Sequence, residues 1–207
     1  MDQSENTAGD PAALSAPKGV NPVAPHAVRM AELLRRVLRP GDKVLDLGAG
    51  LGLTSIAAGQ VVGVGNVTPV EPDPALVLHL RRNLRAAFGQ GVHVMPVRLR
   101  PETDSDSGSD AAPDAAPTRR LSRLLRRSGA NVLVLNIGGA EQALLEQPIP
   151  AELRAIVVRL HPWIYGRIAF HRILSRFERS GWHILGEAQE TAEVALIRGD
   201  AAQGAGA

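Results

Sequence analysis

The chain has 207 residues, 44% of them hydrophobic and 21% charged, a composition that suits one globular domain with a substantial core. It holds no cysteine, which excludes disulfides and thiolate metal sites. The formal charge is only +2 and aromatics make up 3%, so nucleic acid, which wants a larger basic excess and stacking rings, is not expected as the partner. No run approaches the ~18 apolar residues that a membrane span needs. The first twenty residues lack the cationic start and apolar stretch of a secretory signal, so the expectation is a soluble cytoplasmic protein with no membrane contact.

Residues 1–22 are small, polar and Pro-punctuated, and read as a disordered tail; the last eight, 200–207, read as a second flexible end. From Ala24 to Arg39, Val28, Leu33, Leu34, Val37 and Leu38 recur at helical intervals until Pro40-Gly41 stops them. "KVLDL" is a buried strand and Leu53 to Gln60 a helix. "NVTPVE" is a second strand, followed by a helix over 73–88 with Asp73 as N-cap and Pro74 at its first position. "GVHVMPVRL" reads as a third strand. Residues 101–118 are acidic and Pro-rich, too poor in large apolar groups to offset the entropy of ordering, and read as a disordered insertion.

Order returns with "RRLSRLLRR", a short helix whose Arg119, Arg120, Arg123, Arg126 and Arg127 form a solvated cationic face. "NVLVLNI" is a strand, "AEQALLEQ" a helix and "LRAIVVRLH" a strand. A long amphipathic helix over 166–181 precedes a closing hairpin of "WHILGE" and "EVALIR". Strands alternating with helices imply a doubly wound α/β domain over 23–199. Its Rossmann-like mixed sheet is mostly parallel, with an antiparallel strand at the C-terminal end.

The chemistry sits in "DLGAGLG". Glycines at 48, 50 and 52 between a strand and a helix let a ligand approach the backbone, and the helix's free N–H groups attract negative groups. The dinucleotide pattern G-x-G-x-x-G fails, because its last position falls on Leu53 or Ser55, and no Gly-Lys-Ser/Thr follows to make a P-loop. What remains, Asp46-x-Gly48-x-Gly50-x-Gly52, resembles motif I of class I S-adenosylmethionine-dependent methyltransferases. The resemblance implies S-adenosyl-L-methionine as cofactor, with Asp46, Gly48, Ala49, Gly50 and Gly52 gripping its amino-acid end. Glu71 and Pro72 end the next strand, 19 residues after Gly52, where a ribose-binding carboxylate is expected.

The downstream half, "NVLVLNIGGAEQALL" followed by "LRAIVVRLHPWIYG", resembles the FkbM family of methyltransferases over roughly Ala24 to Asp200, apart from the insertion. The resemblance implies O-methylation of a small hydroxylated acceptor such as a sugar or secondary metabolite. Gly139, Ala140, Glu141, His161 and Pro162 match that family's pattern, whereas Asn136, Gly138 and Arg159 replace three of its carboxylates. Without those acids a carboxylate metal cluster is not expected. His161 remains as the base that would take the acceptor's proton, since imidazole titrates near neutrality, and Asn136 would hydrogen-bond the acceptor. Glu141 and Trp163 complete the substrate side. The other histidines show no metal-ligand spacing and carry no expected role. The lost acids also motivate a second reading, a degenerate relative that binds S-adenosylmethionine or S-adenosylhomocysteine as a regulatory module.

Overall fold

The computed structural model describes residues 14–19, 24–100, 116–185 and 192–199. Strands β1 (Val44–Leu47), β2 (Val67–Val70), β5 (Val132–Leu135), β6 (Ala155–Arg159), β7 (Trp182–Leu185) and β8 (Glu193–Arg198) form one sheet in the order β2-β1-β5-β6-β8-β7. β1 pairs in parallel with both β2 and β5, and β5 with β6; β8 runs antiparallel to β6 and to β7. The central strands VLDL and VLVL are buried at every position, as strands covered on both faces must be.

Alternate residues of each strand go to opposite faces, and two cores result. Val44, Val132, Val134, Ala155, Val157 and Ala195 pack under α1 (Pro25–Val37) and α2 (Leu53–Val62). Leu45, Leu47, Leu133, Leu135, Ile156 and Val158 pack under α4 (Leu121–Ser128) and α6 (Pro162–Arg179). Helix α3 (Pro74–Phe88) covers α2, with Leu80 and Leu84 facing Leu53 and Ile56. Asp73 caps it as its sequence predicts, accepting from the backbone N–H groups of Ala75 and Leu76. At the amino ends of the strands, Asp42 is buried and accepts from the Arg154 guanidinium and the Asn131 amide, tying β1, β5 and β6 together.

Four expectations change. The third strand does not join the main sheet: Met95 makes a single bridge to Val70, and Arg98–Arg100 (β3) instead pairs with Thr118–Arg120 (β4) in a separate two-stranded sheet. The ladder stops because the Val97 N–H, the donor that would continue it toward β2, turns back across Pro96 to the Met95 carbonyl at 3.0 Å. Arg119 and Arg120 therefore lie in β4 rather than on the α4 helix face.

The long helix starts four residues early, at Pro162, and is kinked where Gly166 adopts φ 84°, ψ 157°. Part of the N-terminal tail is packed rather than loose. Leu14 is buried, and Asn83 of α3 reads Ser15 as a strand neighbour would. Its Oδ1 accepts from the Ser15 N–H at 2.8 Å and its Nδ2 donates to the Ser15 carbonyl at 3.0 Å. Residues 1–13 and 20–23, the insertion up to 115, and 200–207 lie outside the described residues.

Candidate functional site

Asp46 points to the α1/α2 face because Val44, two residues earlier, does so. It is 1% exposed, and its Oδ2 accepts from Thr54 Oγ1 at 2.7 Å and Ser55 Oγ at 2.6 Å, both in the first turn of α2. It thus ties the end of β1 to the start of α2 beneath the glycine loop. Burial pushes its carboxyl up to about 6, against the two hydroxyl hydrogen bonds and with a further push from the charge of Glu71.

The loop turns on glycines that no other residue could replace freely. Gly48, Gly50 and Gly52 have φ of 77°, 56° and 98°, and a Cβ on Gly48 would lie 2.0 Å from the Asn136 carbonyl oxygen. Gly50 N–H donates to Glu71 Oε2 at 2.9 Å, and Asp73 N–H donates to Glu71 Oε1 at 3.0 Å. From the other side, Asn83 Nδ2 donates to the Leu51 carbonyl at 2.8 Å. The loop is therefore held by a carboxylate below, a carboxylate beside it and an amide across it.

Two adjoining cavities open over this loop. One of about 350 Å³ is lined by Leu47, Gly48, Glu71, Pro72, Asn136 and Ile137, among others. The second, of about 190 Å³, is lined by Gly48, Ala49, Gly50, Leu14, His26 and Asn136, among others. Gly48 and Asn136 belong to both, so the cavities meet at the carboxyl ends of β1 and β5, the place where open α/β sheets bind ligands.

Next to the second cavity lies a cluster of charged and ring side chains on the α1 face. The alternation that buries Val157 and Ala195 under α1 carries Arg159 and Glu193, paired in register across β6 and β8, to the same face. Glu193 is buried; Arg29 Nε of α1 donates to its Oε2 at 2.9 Å, and Arg159 Nε stands 3.5 Å from its Oε1. The Arg159 guanidinium lies over the Trp163 ring, 5.2 Å from its centroid. Burial holds the His26 imidazole below the ordinary histidine value, helped by the Arg159 charge and, more weakly, by Arg29 and His161, against Glu193.

His161 and Glu141 form a buried pair, with His161 Nδ1 2.7 Å from Glu141 Oε1. Glu141 Oε2 accepts from the Gly139 N–H at 2.8 Å, and the His161 N–H donates to the Tyr165 hydroxyl at 2.7 Å. Burial pushes the Tyr165 phenol above its ordinary range.

The sequence-derived site is thus partly rearranged. Gly48, Ala49, Gly50, Glu71, Pro72 and Asn136 all line the two cavities, whereas Asp46 and Gly52 shape the loop from behind it. Glu141 has no exposed surface, its two oxygens are bonded to His161 and Gly139, and it lines neither cavity. His161 is buried against Glu141 and lines neither cavity, while Trp163 stands exposed beside it, rings edge to face at 4.9 Å.

His26, Arg29, Asn83 and Glu193 were not anticipated. A signal for His26 existed: a helix joined to β1 by a tight Pro40-Gly41 turn runs antiparallel to it, which brings its first turn to the carboxyl ends of the strands. Among the described residues, no group of three or more His, Asp or Glu is placed to hold a metal ion, and no helix is long and apolar enough to cross a membrane.

Asp46→Asn isolates the energetics of the buried carboxylate. The folded pKa of about 6 lies above the ordinary 3.8, so the cost of the charge is absent below 3.8, grows through that window and is fully present above about 6. An asparagine oxygen can still accept from Thr54 and Ser55. Asp46→Asn should therefore be more stable than the parent at pH 8, by up to about 3 kcal/mol, and the gain should shrink toward zero near pH 4. Thermal unfolding at both pH values checks this, and a lower Tm at pH 8 would refute it.

The sequence profile of the protein-L-isoaspartate(D-aspartate) O-methyltransferase family matches residues 5–102, just under half of the chain. A ribosomal protein L11 methyltransferase of Geobacillus kaustophilus is 38% identical over 61 residues, covering 30% of this chain and 19% of that protein. The same-named protein of Chloroflexus aurantiacus is 42% identical over 52 residues, covering 25% of this chain and 16% of its own length. The chain thus aligns with under a fifth of the length of these curated relatives. Among solved structures, a ribosomal protein L11 methylase from Lactobacillus delbrueckii subsp. bulgaricus superposes with a TM-score of 0.50 at 16% identity, over 88% of this chain and 82% of that one. The strand order, the glycine loop after β1 and this superposition agree: the chain has the class I S-adenosylmethionine-dependent methyltransferase fold.

Proposed function

We propose that the protein is a working S-adenosylmethionine-dependent methyltransferase that methylates an oxygen of a small hydroxylated molecule. The observation that carries the reading is the pair of cavities joined at Gly48 and Asn136, one with Glu71 on its wall and the other with His26. When bound, the cofactor supplies a sulfonium methyl group open to nucleophilic attack. The residues present fit it. Glu71 offers a carboxylate to ribose hydroxyls, and Leu47, Val70 and Ile137 give apolar walls for a base.

On the acceptor side His26 would take the proton of the acceptor hydroxyl, whose oxygen would receive the methyl group that the bound cofactor supplies. Its lowered pKa keeps the imidazole neutral, and so able to accept, at neutral pH. Asn136, on the shared wall, hydrogen-bonds and orients the acceptor. The His161–Glu141 pair fixes the end of β6 and the start of α6. Oxygen as the methylated atom, and a small acceptor, rest on the FkbM-like pattern around Gly139, Glu141 and His161.

The named relatives act on proteins, and Trp163, Ile164 and Ile168, exposed at 60%, 58% and 79%, favour a second reading in which the acceptor is a protein side chain docked at this rim.

Calorimetric titration with S-adenosylmethionine and S-adenosylhomocysteine, followed by acceptor screening, tests the proposal. Saturable binding of both with a methylated product supports it, binding without any turnover restores the regulatory-module reading, and no binding of either ends it. His26→Ala should lower kcat by ~10²–10⁴-fold while leaving cofactor affinity nearly unchanged. In the parent the acid limb of kcat/KM should fall below the ordinary histidine value of 6.5, because His26 protonates only at lower pH. A limb above that value, or an undiminished His26→Ala, would remove His26 from the base's role.

A further inference from the structure

Arg159 is a cation in a place its strand would not otherwise supply. It ends the apolar run Ala155–Val158, its side chain is 23% exposed, and it reaches the α1 face beside His26. Glu193, the carboxylate opposite, already accepts a hydrogen bond from Arg29 at 2.9 Å, whereas Arg159 stands 3.5 Å away and its Nε is buried without a hydrogen bond. Two guanidiniums therefore share the Glu193 carboxylate, and Arg159 has the longer of the two contacts. Glu141, the other acid near Arg159, is turned to His161 and Gly139. The Arg159 guanidinium lies over the Trp163 ring, 5.2 Å from its centroid, a cation–π contact that steadies the side chain without a carboxylate taking up its N–H donors.

We infer that Arg159 is the anion-binding residue of the acceptor site, and that the acceptor carries a carboxylate which the Arg159 fork grips beside Trp163. A carboxylate matches the planar fork in shape, two oxygens against two parallel N–H groups. Arg159 thereby sets which hydroxylated molecules enter: hydroxy acids rather than neutral sugars. This identification of the substrate class rests on the methyltransferase reading, but the binding of a carboxylate at Arg159 does not.

The test uses benzoate as the probe and benzamide as its neutral, equally planar counterpart, titrated by calorimetry into the full chain saturated with S-adenosylhomocysteine. The parent should bind benzoate saturably and at least about tenfold more tightly than benzamide, and Arg159→Gln should lose about tenfold or more in benzoate affinity with little change toward benzamide. Arg159→Lys keeps the charge opposite Glu193 but not the fork, so it should also weaken benzoate, and it serves if Arg159→Gln does not fold. Equal binding of the two probes by the parent, no benzoate binding, or unchanged benzoate binding in the variants would each overturn the inference. S-adenosylhomocysteine affinity, measured in the same series, separates the two ideas. If it is intact while benzoate ignores Arg159, only the inference falls. If it is absent while benzoate still depends on Arg159, the anion site stands and the methyltransferase reading falls.

Discussion

Gly48→Ala should cost the fold on the order of 4 kcal/mol or more, a large share of the 5–15 kcal/mol that holds a typical domain together. Its Cβ would lie 2.0 Å from the Asn136 carbonyl oxygen and 2.9 Å from the carbonyl carbon, both backbone atoms at the end of β5, so no side-chain rotation relieves the contact. The φ of 77° adds the penalty of a left-handed conformation, about 1 kcal/mol.

Gly50→Ala is the control. Its φ of 56° carries the same backbone penalty, but its Cβ would meet nothing nearer than the Gly48 carbonyl oxygen at 4.0 Å. It should lose only about 1–2 kcal/mol. Urea unfolding of the two variants separates clash from strain. Similar losses in both would mean that β5 yields easily and that the close approach of Gly48 to Asn136 does not shape the site. Because Asn136 lines both cavities, Gly48→Ala should also abolish cofactor binding in whatever fraction still folds.

The second large effect belongs to Glu71. Its two oxygens accept from the Gly50 and Asp73 N–H groups, and the same carboxylate lies on the wall of the larger cavity. Glu71→Ala leaves two backbone donors without their partner, which should cost about 1–3 kcal/mol each where they stay buried. It also removes the carboxylate proposed to accept from ribose hydroxyls.

Glu71→Gln keeps one oxygen for the backbone, so its stability loss should be about half that of the alanine variant. Its S-adenosylmethionine affinity should still fall by about tenfold or more, because an amide offers the ribose a weaker acceptor than a charged carboxylate does. Calorimetry and thermal unfolding on the same two proteins make the comparison. Affinity equal to the parent in Glu71→Gln would confine Glu71 to bracing the loop.

The elements that were legible in the sequence are those whose burial pattern is local. VLVL and AIVV announce strands covered on both faces, Asp73-Pro74 announces a helix start, and the spaced glycines after KVLDL announce a turn that admits a ligand. GVHVMPVRL misled because its apolar content outweighed one residue. The chain turns at Pro96, where Val97 N–H bonds back to the Met95 carbonyl, and only the chain path shows that Arg98–Arg100 goes to Thr118–Arg120 instead. RRLSRLLRR misled in the same way, its first two arginines continuing a strand before the helix begins.

The site divides along the same line. By itself the sequence determined the doubly wound architecture, the position of the glycine loop and the placing of Glu71 at the end of the second strand, because each depends on residues within one strand–turn–helix unit. Only the tertiary structure decided which groups meet over that loop. His26 comes from a helix before β1, Asn136 from β5, Arg159 from β6 and Glu193 from β8. They share a face because the sheet order β1-β5-β6-β8 sets these strand ends side by side and α1 folds back across them. Such contacts span from 34 residues, between Arg159 and Glu193, to 164, between Arg29 and Glu193, distances at which spacing along the chain carries no information about approach in space. The burial of His161 against Glu141 was hidden for the same reason: they lie 20 positions apart across a helix and a strand, and only the packed sheet brings their ends to 2.7 Å.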